Sequence, residues 1–148
     1  NEKTEWRTTE HSNNRMTNKM LENQTTVEKE KDLGKRLINF SVLIIRLCDT
    51  LFNTRAGNTI SGQLIRSGTS PALNHGEMRD AESSDDFIHK AKVILKELRE
   101  TYNDLQIIKE VPLTKNLELN EKAIKECDEL IAIFVTSIKT ARRNNSGK

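Results

Sequence analysis

The sequence predicts an all-α fold, an antiparallel up-down-up-down four-helix bundle, on three observations. Apolar residues recur at alternating spacings of three and four along several long stretches, which keeps them on one face of an α-helix. Aromatics make up only 4% of the chain, with a single Trp6 and a single Tyr102, so a core has to be built from Leu, Ile and Val. Pro71 and Pro112 are the only prolines, and with six glycines they supply too little turn punctuation for a many-stranded sheet.

The 148 residues suffice for one domain with a real core and are too few to expect two. Residues 1–31 are rich in Asn, Thr, Glu and Lys and carry no sustained apolar period, so they read as a polar, disordered N-terminal extension with at most a short helix around Met16 to Leu21. Met16 and Met20 each offer an alternative start, so residues 1–15 need not belong to the natural chain. From Asp32, the series Leu33, Leu37, Phe40, Ile44, Leu47 and Leu51 predicts a first helix over about Asp32 to Phe52. Val42, Leu43 and Ile45 widen its stripe, so this helix is expected to be covered on more than one side. Asn53 and Gly57 bracket a connection, after which Ile60, Leu64, Ser67 or Gly68, and Pro71 continue a helical face.

Ser83 reads as an N-cap, because its hydroxyl can accept from an orphan N–H while Asp85 and Asp86 complement the helix dipole. Phe87, Ala91, Ile94, Leu98, Thr101 or Tyr102, Leu105 and Ile108 then give a third helix over about Ser84 to Val111, stopped by Pro112. Ile124, Cys127, Ile131, Phe134 and Ile138 give a fourth over about Asn120 to Ala141, and residues 142–148 form a basic tail. Four helices on short connections make the bundle over residues 32–141 the economical solution.

Composition also excludes function classes. No segment approaches the roughly 20 apolar residues that span a bilayer, and the N-terminal stretch lacks the apolar core of a signal peptide, so a cytoplasmic protein without a membrane partner is expected. Cys48 and Cys127 fall among apolar residues at helical spacing and read as small core residues rather than a disulfide or metal site. His75-Gly76-Glu77 has the His-x-Glu spacing of zinc deaminases but no Pro-Cys-x-x-Cys follows, and His11, His75 and His89 share no ligand spacing. Gly57 to Gly62 has a phosphate-loop interval, yet Gln63 stands where Lys is required. No catalytic residue, metal or cofactor is therefore expected.

Charge is balanced over residues 1–31, with six basic and six acidic residues, and over 32–141, with fifteen and sixteen; residues 142–148 carry three basic and none acidic. A nucleic-acid footprint must then be a local patch. Candidates are Arg66, Arg79, Lys90 and Lys92, with Lys96 and Arg99 beside them, and Arg142, Arg143 and Lys148 in the tail. The plainer reading is that these pair with Glu77, Glu97, Glu100 and Asp104.

The stretch QLIRSGTSPALNHGE, from Gln63 to Glu77, builds a helix from weak formers. Ser67, Gly68, Thr69, Ser70, Pro71 and Ala72 offer little bulk, so close approach of a neighbouring helix, a kink at Pro71, or both, must compensate, with freed carbonyls accepting from Ser, Thr or Asn74. Together with Ser83, the FIHK of Phe87 to Lys90 and the KELRET of Lys96 to Thr101, this stretch resembles the bacterial four helix bundle protein family, which includes proteins encoded in intervening sequences of 23S ribosomal RNA genes and the accessory variability protein of diversity-generating retroelements.

The resemblance extends from about Phe40 to Leu105 and places Gln63, Leu64, Arg66, Ser67, Ser70, Asn74, Glu77, Ser83, Phe87, Lys90, Glu97 and Glu100 at motif positions. Six residues after the Asn, where many members carry a basic residue or glycine, this chain has Asp80 preceded by Arg79, which weakens the ground for a phosphate contact there. The resemblance implies a ring, usually a homopentamer, that binds RNA, DNA or a nucleic-acid enzyme such as a reverse transcriptase.

A homo-oligomer is also expected from the surface, because the wide apolar face of helix one and the small-residue face of helix two exceed what one thin bundle buries. Two functions follow: an oligomeric nucleic-acid-binding or reverse-transcriptase-accessory module, or a structural, protein-interaction oligomer that binds no nucleic acid. A neighbouring reverse-transcriptase gene, or placement inside a ribosomal RNA gene, would discriminate them.

Overall fold

The computed structural model describes residues 2–147, with side chains from position 12 onward apart from those at 13, 27, 30 and 31. Among them the chain forms four helices: α1 (Glu2–Cys48), α2 (Arg55–Arg79), α3 (Ser84–Glu110) and α4 (Leu117–Ser146). No strand forms among the described residues; one antiparallel bridge pairs Leu51 with Thr114. The chain divides into two compact units, Asn1–Leu33 and Gly34–Lys148.

The first unit is helical where the sequence predicts disorder, since α1 begins at Glu2 and not near Asp32. Residues 1–33 contain neither Pro nor Gly, the two strong breakers. Its threonines bond back into the helix, Thr26 donating to the Glu22 carbonyl at 2.8 Å and Thr25 to that of Leu21. Met16, Met20 and Leu21 are exposed. With no buried side chain among those described from 12 to 32, there is no period to read.

The second unit holds the core. Leu37, Phe40, Ile44 and Leu47 of α1, Leu64 of α2, Ala91, Ile94, Leu98, Leu105 and Ile108 of α3, and Ala123, Cys127, Leu130 and Phe134 of α4 are all at most 1% exposed. The series predicted for α1 and α3 thus face inward at these positions, with Thr101 rather than Tyr102 buried, while Leu33, Phe87 and Leu51, the last beyond the end of α1, are only half-buried. In α4 the buried row is Ala123, Cys127, Leu130, Phe134 and Ile138, one step round from the expected Ile124 and Ile131, which are only half-buried. Both rows fit a 3.6-residue period, and packing selects the one centred on Leu130. Helix ends also move: α1 stops at Cys48 short of Phe52, and α4 runs on through Arg142 and Arg143 to Ser146, so the basic tail is mostly helical; Lys148 lies outside the described residues.

Polar pairs fix the register. Along α1, Gly34, Ser41 and Cys48 meet His75, Gly68 and Ser61 of α2: a Cβ on Gly34 would lie 3.2 Å from His75 Nδ1, Ser41 Oγ lies 3.3 Å from the Gly68 carbonyl, and Cys48 Sγ 3.7 Å from that of Ser61. Numbers rise on one helix as they fall on the other. The same holds for α3 and α4, where Asn120 Nδ2 donates to the Leu105 carbonyl at 3.1 Å, Cys127 Sγ to that of Leu98 at 3.2 Å, and Asn145 Nδ2 to Asp85 Oδ1 at 3.0 Å. Between α2 and α3, Thr101 Oγ1 lies 2.9 Å from Ser67 Oγ. Arg36 ties α1 to α4 by ion pairs of 2.6 Å to both Glu126 and Glu129. These contacts raise its guanidinium pKa, chiefly through the hydrogen bond to Glu126.

The weak formers of α2 have a structural use. Gly68 sits against Ile44, and a Cβ there would come within 2.8 Å of Ile44 Cγ2, so the glycine lets α1 and α2 approach. Asn74 donates to the Ser70 hydroxyl at 3.0 Å, not to a carbonyl freed by Pro71, while Thr69 donates to the Ile65 carbonyl at 2.7 Å. Ser83 caps α3 as its residue type predicts: its hydroxyl accepts from the Asp86 N–H at 3.1 Å, and Asp86 Oδ2 accepts from the Glu82 N–H at 3.2 Å.

Candidate nucleic-acid interface

Residues at i, i+4 and i+7 share one face of a helix, and Lys92, Lys96 and Arg99 are so spaced on α3. Lys139 and Arg142, three apart, share a face of α4. Both faces border one groove of about 550 Å³ between α3 and α4, floored by Leu95, Val135 and Ile138 and closed by Glu100 and Asn103. Five cations thus line the groove against one carboxylate. Lys96 lies 3.8 Å from Glu100, an exposed contact of little strength. The other four have no ion pair among the described residues, and all five are exposed. A near-neutral body therefore carries one concentrated positive strip. None of the lining residues is aromatic, so the groove suits phosphates and not stacked bases.

The residues predicted from sequence separate here. Lys92 and Arg142 reach the groove, and Arg143 is exposed on the last turn of α4. Lys90 is held by Asp86 at 3.0 Å, one turn back on α3, and this bond together with the Glu82 N–H keeps the Asp86 carboxyl below its ordinary range. Arg79 lies 3.7 Å from Asp80. Arg66 is exposed and lines a different hollow, between α2 and α3, with no ion pair to Glu77 or Glu97 among the described residues. Lys139 was not singled out by sequence reasoning; its signal is the three-residue step to Arg142.

The motif residues of α2 and α3 do structural work. Ser67 is buried against Thr101, Ser70 and Asn74 bond each other, Ser83 caps α3, Phe87 is half-buried, and Glu77 and Gln63 are exposed. Gln63, Arg66, Ser67, Glu100, Asn103 and Asp104 line the α2–α3 hollow, of about 380 Å³. Asp104 is only 8% exposed and has no hydrogen-bond donor or ion-pair partner among the described residues. Burial, and secondly the Glu100 charge, push its carboxyl pKa up. Both thiols are buried; burial raises Cys48 and pushes Cys127 up to about 12. Among the described residues no three His, Cys, Asp or Glu gather as metal ligands, and no helix is long and apolar enough to cross a membrane.

No family model matches the chain, and no curated protein does. Among solved structures, a protein of unknown function from the S23 ribosomal protein family, from Bacteroides thetaiotaomicron, matches with a TM-score of 0.66 and 30% sequence identity. The match covers 75% of this chain and 98% of that one. At that identity, over nearly the whole of that relative, this chain belongs to the S23 ribosomal protein family.

Proposed function

We propose that this protein is a non-catalytic, cytoplasmic nucleic-acid-binding module: an up-down-up-down antiparallel four-helix bundle that assembles into a homo-oligomeric ring, a pentamer by its resemblance, and offers RNA or DNA one cationic groove per subunit. The α3–α4 groove carries the reading, because four of its five cations have no ion pair among the described residues and their repetition round a ring would convert weak phosphate contacts into avidity. Assembly is supported by two uncovered apolar rows. Ile38, Val42 and Ile45 on α1 are 57%, 40% and 44% exposed, and Ile65 and Leu73 on α2 are 41% and 77% exposed. Ile38 and Ile45 lie three or four residues from Ser41 and Cys48, which touch α2, so the α1 row borders that helix. Ile38 and Ile45 thus border α2, Val42 faces a hollow shared with Lys122 and Glu126 of α4, and the cations lie between α3 and α4.

A salt titration of structured-RNA binding by the intact oligomer tests the reading. Binding is expected to fall steeply with salt and to show little base preference. Replacing Lys92, Arg99 and Arg142 together by Gln is expected to flatten the slope of log affinity against log salt by about 2 to 3 without changing assembly. No binding at low salt would favour the second reading, an interaction oligomer or reverse-transcriptase-accessory scaffold. That reading draws support from Lys90 and Arg36, whose charges are engaged within the chain.

A further inference from the structure

A mostly buried carboxylate is best held by a cation or several N–H groups, and Asp104 has neither among the described residues, its oxygens reaching only the solvent of the hollow. Its neighbours deepen the deficit. Glu100, one turn earlier on α3, lines the same hollow and adds a second negative charge, while Ser67 is engaged with Thr101. Arg66 is the lone cation on the rim, and its guanidinium is more than 4 Å from either carboxylate. The hollow opens beside the uncovered row of α2, because Arg66, on its rim, lies three residues from Thr69 and seven from Leu73 on the helix surface. One carboxylate without a donor, Asp104, beside a second that only Lys96 meets at 3.8 Å, therefore adjoins an apolar strip without a cover.

We infer that the α2–α3 hollow is one half of the contact between subunits, and that a lysine or arginine of a second copy of this chain enters it and donates to the Asp104 carboxylate. The site is incomplete in the isolated chain. Charge complementarity selects the occupant, since the chain carries many exposed bases and Asp104 is the acid of the hollow that neither Arg66, more than 4 Å away, nor Lys96, turned to Glu100, meets. The polarity of the contact also suits a ring: a basic side chain from one face enters an acidic hollow on another, which makes the interface heterologous, the kind that closes into cycles. The apolar row of α2 supplies the area around the ion pair and keeps water from it.

This inference rests on the oligomer reading above, and the test separates the two. Dilution series of the full chain, followed by light scattering, give the dissociation constant of the wild type, of Asp104→Asn and of Glu100→Gln. Asp104→Asn is expected to weaken assembly at least tenfold and Glu100→Gln less, while the thermal midpoint of the dissociated chain stays level or rises, because an unpaired buried charge has been removed. An assembled wild type with an Asp104→Asn variant that assembles equally well overturns the inference and leaves the ring standing. A wild type that is monomeric at every concentration removes both. Arg66→Gln controls for pairing inside the chain: its midpoint is expected to match the wild type, and a loss comparable to that of breaking a buried pair would assign Asp104 to Arg66 and overturn the proposal. Spermidine supplies the last arm, since a stabilisation by it that depends on Asp104 would make the occupant a free amine and not a second subunit.

Discussion

Two glycines of α2 differ by what surrounds them. A methyl on Gly68 would overlap Ile44 at 2.8 to 2.9 Å, whereas one on Gly62 meets nothing within 4 Å. Gly68→Ala is therefore expected to cost about 1 to 3 kcal/mol through overpacking, and Gly62→Ala to stabilise by about 0.5 to 1 kcal/mol through helix propensity. Denaturant melts of the two variants check this, and equal effects would mean that α1 and α2 are not in close contact. The thiols give a second residue-scale expectation. Cys127 is fully buried, donates to the Leu98 carbonyl and has its pKa pushed up to about 12, so it is expected to stay a thiol and resist iodoacetamide at pH 8. Alkylation that becomes rapid only on denaturation fits; rapid native labelling contradicts the placement.

At the scale of the element, the register of α4 can be tested directly. Leu130→Ala is expected to cost about 2 to 5 kcal/mol, as is Leu98→Ala in the buried row of α3. Ile131→Ala should cost clearly less, because that side chain is only half-buried. If the order of Leu130 and Ile131 were reversed, α4 would be rotated by one residue. The Ser83→Ala variant should lose about 1 kcal/mol with its cap. This register shows where sequence reasoning stops. The α3 series was legible because Ile94, Leu98, Leu105 and Ile108 belong to a longer row than the adjacent Ile88, Leu95 and Tyr102; in α4, Ala123 and Leu130 stand beside Ile124 and Ile131, and periodicity cannot choose between rows so evenly matched. The helix before Asp32 was illegible for a different reason, since none of its described side chains is buried. In the candidate groove, Lys92 and Arg142 could be singled out as bases, but their convergence depends on how α3 and α4 pair. For Asp104 the sequence suggested only an acidic partner, since lack of a donor shows nowhere except in three dimensions.

For the whole molecule, the proposed assembly surface and the proposed binding groove use different side chains, so assembly and binding are expected to be separable. Val42→Glu places a charge in the uncovered row and is expected to give a smaller particle with unchanged far-UV circular dichroism, whereas the groove triple variant keeps its mass. A Val42→Glu protein of wild-type size would move the interface elsewhere. The two ends of the bundle also differ. At one, the connections after α1 and α3 are stitched together: the Phe52 N–H donates to the Leu113 carbonyl at 2.9 Å, the Thr50 and Thr114 hydroxyls lie 2.8 Å apart, and Thr114 Oγ1 is 3.1 Å from the Thr50 carbonyl. At the other, Asp80 and Glu82 stand in solvent between α2 and α3. Amide protons at Phe52 and Leu113 should accordingly exchange with deuterium only through large openings that part the two connections, while those near Glu82 exchange through local fraying. A peptide tag or a new pair of chain ends placed between Asp80 and Ser83 would leave the bundle intact, and the same insertion between Thr50 and Asn53 would pull apart the knot that holds two otherwise distant connections in place.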